Sequence, residues 1–368
     1  MKNLIFLIFV LLLASLFSQT NIVEIYIVSN INGSVFTNES KIAFIDDFLK
    51  MSIVGKCENS EELVYYSNSE KLQIDGLVIN ENDIHNWNEL DTDLSIKWFK
   101  VEEADGEHYN NTSPTWHWED IPYTETEIME WKNRFEIFPD VEPTIFEPVF
   151  CDGKVVGTMR FKATLIINGK TFSTPGKNSK YKGSISHKVH RLSLKGNTDN
   201  EVINYAFAMC NLPYIWGSAN FSNDHNFDNQ AERFIGADCA DFAVAAHQLA
   251  GNQIPYDQIK NNRFTKIIST VKDIENSNYL DRKRELIIVG NNGIKVADFI
   301  YWNYDKPGTG HVGLFYEDKS DPNGENKGNA DAIFNEWDLV IHTLFHEPEI
   351  KRIGEAFSGN IRVYRIRD

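Results

Sequence analysis

Apolar and polar residues alternate at period two through much of the first half of this chain, and they switch to helical spacing at a few places further on. NIVEIYIVSN alternates over Val23, Ile25 and Ile27, which predicts a strand. In GTMRFKATLIINGKTFSTPG, residues 157 to 176, the positions Met159, Phe161, Ala163 and Leu165 alternate. Asn168-Gly169 supplies a favoured two-residue turn, Thr171 to Thr174 return, and Pro175-Gly176 close the predicted hairpin. KIAFIDDFLKM, from Lys41 to Met51, spaces Ile42, Ile45, Phe48 and Leu49 like a short helix instead.

After a turn at Gly196 to Asp199, with Thr198 or Asp199 as cap, a helix is predicted over about 200 to 209. Its apolar face carries Val202, Ile203, Ala206, Phe207 and Met209, and Leu212-Pro213 stops it. Residues 218 to 233, with His225 among Asn and Asp, form a polar loop suited to the rim of a cleft. A second helix begins at Cys239 and runs to about Ala250, with Gly251 as its left-handed cap; Phe242, Ala246 and Leu249 repeat toward a core. Lys260 to Leu280 is mixed and predicted helical in part. Short strands follow at Leu286–Val289, Ala297–Trp302, His311–Tyr316, Trp337–Leu344 and Asn360–Ile366. Glu317 to Asn329 is a solvated loop that lacks the alternate-position ligands and closing glutamate of a calcium loop.

Length and composition add a frame to this pattern. The chain has 368 residues, enough for two domains with real cores. Residues 1–18, MKNLIFLIFVLLLASLFS, predict a secretory signal peptide cut near Ser18, with an uncleaved anchor as the alternative. No other stretch is long and apolar enough to cross a bilayer, so an exported, periplasmic or extracellular chain is expected. A β-rich accessory domain is expected over 19–196 and a second domain over 197–368. For the first, an immunoglobulin-like sandwich is expected, with a small open barrel as the alternative. Its aromatic, acidic segment 95–128 either fills a small β core or exposes Trp116, His117 and Trp118 for stacking on sugar rings. A net charge of -17, from 53 acidic and 36 basic residues, argues against nucleic acid and against an acidic membrane surface. Of the 4 cysteines, Cys57 with Cys151 is the expected bridge and Cys210 stays single.

The fourth cysteine carries the candidate chemistry. Cys239 sits in the first turn of its helix, where free N–H groups and the positive helix end favour thiolate over thiol. The competing reading is a small buried hydrophobe. Downstream, His311 and His342 lie on two predicted adjacent antiparallel strands, and their alternation points both to one side. A cysteine nucleophile needs such a set: one histidine to take its proton and a polar group to orient that ring. His247 is two turns along the helix from Cys239, too far to be its base, and is assigned to the surface or to a core hydrogen bond. His187 and His190 sit three apart in an extended stretch with no third ligand near, which suits a linker better than a metal site.

At these residues the chain resembles the NlpC/P60 family of papain-like cysteine peptidases, over roughly residues 198 to 367. Leu212-Pro213-Tyr214-Ile215-Trp216-Gly217 resembles the family's P-Y-x-W-G, and Asp238-Cys239 its D-C. Ala297-Asp298-Phe299 resembles G-D-L, Gly310-His311-Val312-Gly313-Leu314 resembles G-H-V-G-I, and Val340-Ile341-His342 resembles the later strand with the third polar residue. The resemblance implies an α+β, papain-like domain in which a helix carrying the cysteine packs on an antiparallel sheet, preceded by the β-rich domain. It implies Cys239 as nucleophile, His311 as base and acid, His342 as orienting group and Tyr214 as a hydroxyl donor, with the Cys239 N–H in the oxyanion site and no metal or cofactor. Trp216, Asp238 and Asp241 are the candidate substrate contacts, with Asp241 alternatively salt-bridged to Arg233. The implied substrate is an amide bond in peptidoglycan peptides, often between D-glutamate and a diamino acid. Ala240-Asp241 replaces the family's Ser-Gly, and C-A-D-F also resembles transglutaminase-like proteins. An acyl hydrolase or transferase on a non-wall substrate, or an inactive binding protein, are therefore the alternatives.

Overall fold

The computed structural model describes residues 22–58, 63–90, 92–104, 111–112, 117–118, 120–181, 183–219, 230–305, 310–358 and 360–367. The predicted signal peptide, Trp116 and His225 lie outside the described residues. In the first half, β1 (Ile22–Ile31), β2 (Lys41–Phe44), β3 (Leu49–Glu58), β4 (Leu94–Glu103), β5 (Lys154–Ile167) and β6 (His190–Lys195) are the main strands. β1 and β3 pair antiparallel in the centre of an 8-stranded sheet, while β4, β5, β6 and β2 are consecutive neighbours in a 7-stranded sheet.

Period-two alternation turns one face of each sheet toward the other. Ile25, Ile27, Met51 and Ile53 from the first sheet meet Ile96, Trp98, Met159, Phe161, Ala163 and Leu165 from the second in one buried core. The Trp98 and Trp131 rings meet edge to face there, with centroids 6.4 Å apart. Trp87 and Trp98 satisfy their indole N–H groups on the carbonyls of Ile53 and Arg134, at 3.2 and 2.8 Å. These tryptophans fill the core. Asn168 and Gly169 both take positive φ, 50° and 75°, as the turn that closes β5 onto Lys170–Ser173 requires.

Three expectations are corrected. Residues 41–51 form no helix: β2 ends at Phe44, a turn follows, and β3 starts at Leu49. The Asp47 carboxylate accepts the Phe44 N–H at 2.8 Å and the Asn32 amide at 2.7 Å, and β2 pairs in parallel with β6, so sheet partners override the short local periodicity. Residues 260–280 also lack a helix, because Thr265–Thr270 is drawn out as an edge strand. All four cysteines are free. Cys57 belongs to the core between the two sheets and Cys151 to the core around the helices, and a bridge needs Cα atoms within about 7 Å with Cβ atoms turned together.

In the second half, α1 (Glu201–Ala208) is capped by the Asn200 side chain, one residue later than predicted, and α2 (Cys239–Leu249) ends at Gly251 with φ 89°. The strands β7 (Thr265–Thr270), β8 (Phe299–Trp302), β9 (His311–Glu317), β10 (Leu339–His342), β11 (Glu349–Arg352) and β12 (Ile361–Ile366) build a 6-stranded antiparallel sheet in the order β7-β12-β8-β9-β10-β11. α2 is Ala-rich and buried nearly all round, packed between α1 and the face carrying Phe299, Val312, Leu314 and Ile341. Strand content far exceeds helix content, and a helix laid on an antiparallel sheet is the local α+β arrangement that positions the site. Among the described residues no helix is long and apolar enough to cross a membrane.

The halves share a core and a polar clasp. Cys151 and Val156 pack with α1 and α2, and the Thr158 hydroxyl donates to the Ala208 carbonyl at 2.7 Å. The buried Arg191 guanidinium donates to the carbonyls of Ile185, Val189 and Phe234 at 3.0, 2.8 and 2.9 Å, tying β6 to the segment just before α2. Burial lowers its pKa to about 9, with the nearby Arg160 adding to the effect. Replacing Arg191 by Met leaves three buried carbonyls without a donor. The expected loss is about 3 kcal/mol of folding stability, read as a lower denaturant midpoint; an unchanged midpoint would contradict the clasp.

Candidate active site

The tip of α2 is fixed by Asp238. Its Oδ1 accepts the N–H groups of Ala240 and Asp241 at 3.0 and 2.8 Å, and its Oδ2 accepts that of Gly217 at 2.8 Å. The chain thus holds the Tyr214–Gly217 segment and the helix start together, helped by paired backbone bonds of 3.1 Å between Ile215 and Ala237 and between Ala237 and Pro213. Gly236 is needed at this crossing: a Cβ there would lie 2.2 Å from Ile215 Cδ1 and 2.9 Å from the Pro213 carbonyl oxygen. Asp241 is buried next to this cap and accepts the Ser218 hydroxyl at 2.7 Å and the Ala219 N–H at 2.6 Å.

Asp238 and Asp241 are therefore committed to bonds within the chain. Both were expected as substrate contacts, Asp241 alternatively as a partner of Arg233; the Asp241 carboxylate is turned inward onto the 218–219 segment. Burial, together with each other's charge for Asp241, pushes both carboxyls upward.

Cys239 is 6% exposed, with the Val312 backbone N–H directed at its sulfur. Burial pushes the thiol well above its ordinary range, and the Asp238 and Asp241 charges push the same way. This corrects the expectation of a resting thiolate. The positive end of the helix is spent on Asp238, and desolvation with two neighbouring carboxylates outweighs what remains.

β9 begins at His311 and alternates: Val312 and Leu314 face α2, while Gly313 and Phe315 face the other side of the sheet. On that other side, β10 places His342 opposite Gly313. A Cβ on residue 313 would lie 2.9 Å from His342 Cβ, so the glycine leaves the room that the second ring occupies. His311 Nε2 and His342 Nδ1 are 2.9 Å apart and share one N–H, with ring centroids 5.0 Å apart and the rings near perpendicular at 69°. Phe357 covers both rings, at 5.1 and 6.0 Å.

The other two ring nitrogens of this pair, His311 Nδ1 and His342 Nε2, are buried and carry no hydrogen bond. No hydrogen bond joins Cys239 to His311, and the thiol meets β9 one residue further on. Burial lowers both histidines. The His342 pKa falls to about 4 even though Glu349 opposes the shift, and His311 falls well below its usual range with His342 contributing.

The remaining candidates divide. Tyr214 is buried beside this region, its ring 5.2 Å from that of Phe345, and Trp216 is half-buried in the segment clamped by Asp238. His247 is a core residue whose Nε2 lies 3.0 Å from the Ala297 carbonyl, the second of the two places expected for it. Ala297 takes φ 72°, a conformation that favours glycine, at the first position of its G-D-L-like run. The following Asp298 is gripped by Arg365 through two bonds of 2.6 Å. Sequence reasoning missed His346 and Glu349. His342 Nε2 lies 3.8 Å from Glu349 Oε1, and His346 Nε2 lies 2.9 Å from the same oxygen. Two histidines and a glutamate within one strand-turn-strand stretch, H-x-x-x-H-x-x-E from His342, were the signal available.

A cleft of about 940 Å³ lies elsewhere, between β1, the 38–42 segment, the start of β6 and Phe234. Neither Cys239 nor either paired histidine lines it, so volume and candidate reactive groups point to different places. Among the described residues, no group of three His, Cys, Asp or Glu side chains is placed to hold a metal ion.

No family model and no curated protein matches the chain. Two solved structures from Trichomonas vaginalis align along most of it. The structure of NlpC2 is 12% identical, with 88% of this chain and 86% of that one covered and a TM-score of 0.25. The structure of NlpC1 is 12% identical, with 95% and 94% covered and a TM-score of 0.24. Scores this low carry no argument about fold or activity.

The lowered His342 pKa has a testable sign. Because its folded value of about 4 lies below the ordinary 6.5, its contribution to stability is full above about pH 6.5 and is lost as pH falls through 4. Histidine NMR should show a neutral His342 ring at pH 5.5 and a midpoint near 4; a midpoint near 6.5 would contradict the buried, neutral pair.

Proposed function

We propose that this chain is an exported cysteine hydrolase of NlpC/P60 type that cleaves an amide bond, with peptidoglycan stem or cross-link peptides as its substrate. The observation that carries the reading is the 2.9 Å bond between His311 Nε2 and His342 Nδ1, which leaves His311 Nδ1 without a partner one residue from the backbone N–H that faces the Cys239 sulfur. A general base needs a ring of this kind, with one nitrogen anchored and the other available. The quoted sequence motifs supply the family, the substrate class and the leader that implies export.

In the proposed reaction the bound peptide closes the gap between thiol and ring. His311 Nδ1 takes the thiol proton as the sulfur attacks the carbonyl carbon, and the Cys239 N–H stabilises the oxyanion. The C–N bond then breaks, and the leaving amine takes the proton from His311. Water, deprotonated by His311, attacks the thioester and releases a carboxylic acid and the free thiol. Since thiol and imidazole are both neutral at rest, proton transfer accompanies attack and no ion pair stands ready beforehand.

A second reading is favoured by one observation, the burial of Cys239: the second half is catalytically silent, and the first half binds wall material without turnover. The experiment separates them. Peptidoglycan fragments are incubated with the parent protein, Cys239→Ala and His311→Ala, and the products are weighed by mass spectrometry. The expected result is a hydrolysed amide with the parent and at least a 1,000-fold loss in each variant, about 4 kcal/mol of transition-state stabilisation. Cleavage that survives Cys239→Ala, or equal binding with no cleavage by the parent, would overturn the hydrolase reading.

A further inference from the structure

Glu349 has no role yet, and it faces one of the two ring edges that the pair leaves open, that of His342 Nε2. β11 pairs with β10 so that Glu349 stands opposite His342, with Oε1 3.8 Å from His342 Nε2. The glutamate is itself held. His346 Nε2 is 2.9 Å from the same oxygen, and the Lys351 ammonium also contacts it. These are close ion-pair contacts rather than aligned hydrogen bonds. Burial works against the Glu349 carboxylate, but His346 and Lys351 outweigh it and hold its pKa near 2, so it is ionised. His346 is raised in turn, because Glu349 and the Glu347 carbonyl, 2.6 Å from its Nδ1, overcome its own burial.

Neutral imidazole carries its proton on one nitrogen only, and a chain of neutral rings must agree on which. If His311 is to accept a proton at Nδ1, its own proton must sit on Nε2 and be donated to His342 Nδ1. That nitrogen must then be a bare acceptor, which forces the His342 proton onto Nε2. At 3.8 Å the Glu349 oxygen is beyond hydrogen-bond range, yet an anion at that edge favours an N–H over a lone pair inside a dry site. The His346 and Lys351 charges oppose this preference, and Glu349 works against both.

We propose that Glu349, held by His346, is a positioning residue that sets the tautomers of His342 and His311 and so leaves the His311 Nδ1 lone pair free to accept a proton. This deepens the hydrolase reading and rests on it for its catalytic meaning, although the tautomers themselves exist without substrate. No bond is made or broken at Glu349; it acts on proton location through two rings.

The test is long-range ¹⁵N–¹H NMR of the full chain labelled at histidine, without substrate, for the parent, Glu349→Ala and Glu349→Gln. The expected parent spectrum has His342 and His311 both in the Nε2–H form. Glu349→Ala should give a mixed His342 population with the Nδ1–H form appearing, and kcat should fall about tenfold to a hundredfold with KM little changed. Glu349→Gln keeps the shape of the side chain but removes its charge, so the Nδ1–H form should appear there too, with a similar fall in kcat. An Nδ1–H His342 in the parent, or unchanged tautomers in a folded Glu349→Ala, would overturn the inference. Failure of the parent to hydrolyse any amide would defeat the hydrolase reading while leaving the tautomer result to stand on its own. If Glu349→Ala does not fold, Glu349→Gln and His346→Ala decide the matter: loss of the Nε2–H form in His346→Ala supports the relay, and its retention there overturns the role given to His346.

Discussion

Asp238 holds three backbone N–H groups at once, and the site depends on that grip. Two belong to the first turn of the Cys239 helix and one to Gly217 at the end of the upstream aromatic segment. The grip fixes where the sulfur stands relative to β9. It also uses up the positive helix end that would otherwise favour a thiolate, and the buried Asp241 next to it adds a second acidic neighbour. Positional order and a resting thiolate are thus in competition at this tip, and order wins. Reactivity then has to come from a base that takes the proton during attack. In the proposed reaction the His311–His342 pair supplies it, since His311 Nδ1 is buried and unbonded.

The first half does more than precede the site. The sandwich core is closed by its own tryptophans, and its β5 and β6 edges reach the second half through Thr158 and Arg191. Arg191 holds the Phe234 carbonyl four residues before Asp238, so the same guanidinium that satisfies three buried carbonyls anchors the chain leading into the helix tip. Sandwich, clasp, cap and thiol form one continuous line of contacts.

Much of this was legible in the sequence, and the exceptions have a common cause. The Cys239 helix and its Gly251 cap, the Asn168-Gly169 hairpin and the strands carrying His311 and His342 were all read from local periodicity and turn residues, which suffice when local preference and tertiary context agree. Residues 41–51 and 260–280 looked helical because a short apolar spacing fits two periods, and only the sheet partners decide between them. The free cysteines and the inward turn of Asp241 depend on which residues share a core, information that is not local. The sign of the Cys239 shift was missed for the same reason: a helix-tip position is visible in the sequence, whereas desolvation and two flanking carboxylates become visible only once the tip is packed. Glu349 stayed hidden because its meaning depends on the register between β10 and β11.

The central claim is that Cys239 becomes covalently bonded to the acyl half of an amide substrate. Rapid acid quench of the parent protein with a peptidoglycan peptide, followed by intact and peptide-level mass spectrometry, tests it directly. The account predicts an adduct of the acyl fragment's mass on the Cys239 peptide during turnover, absent in His311→Ala. Turnover with no adduct at any time point, or an adduct on Cys57, Cys151 or Cys210 in its place, would contradict it.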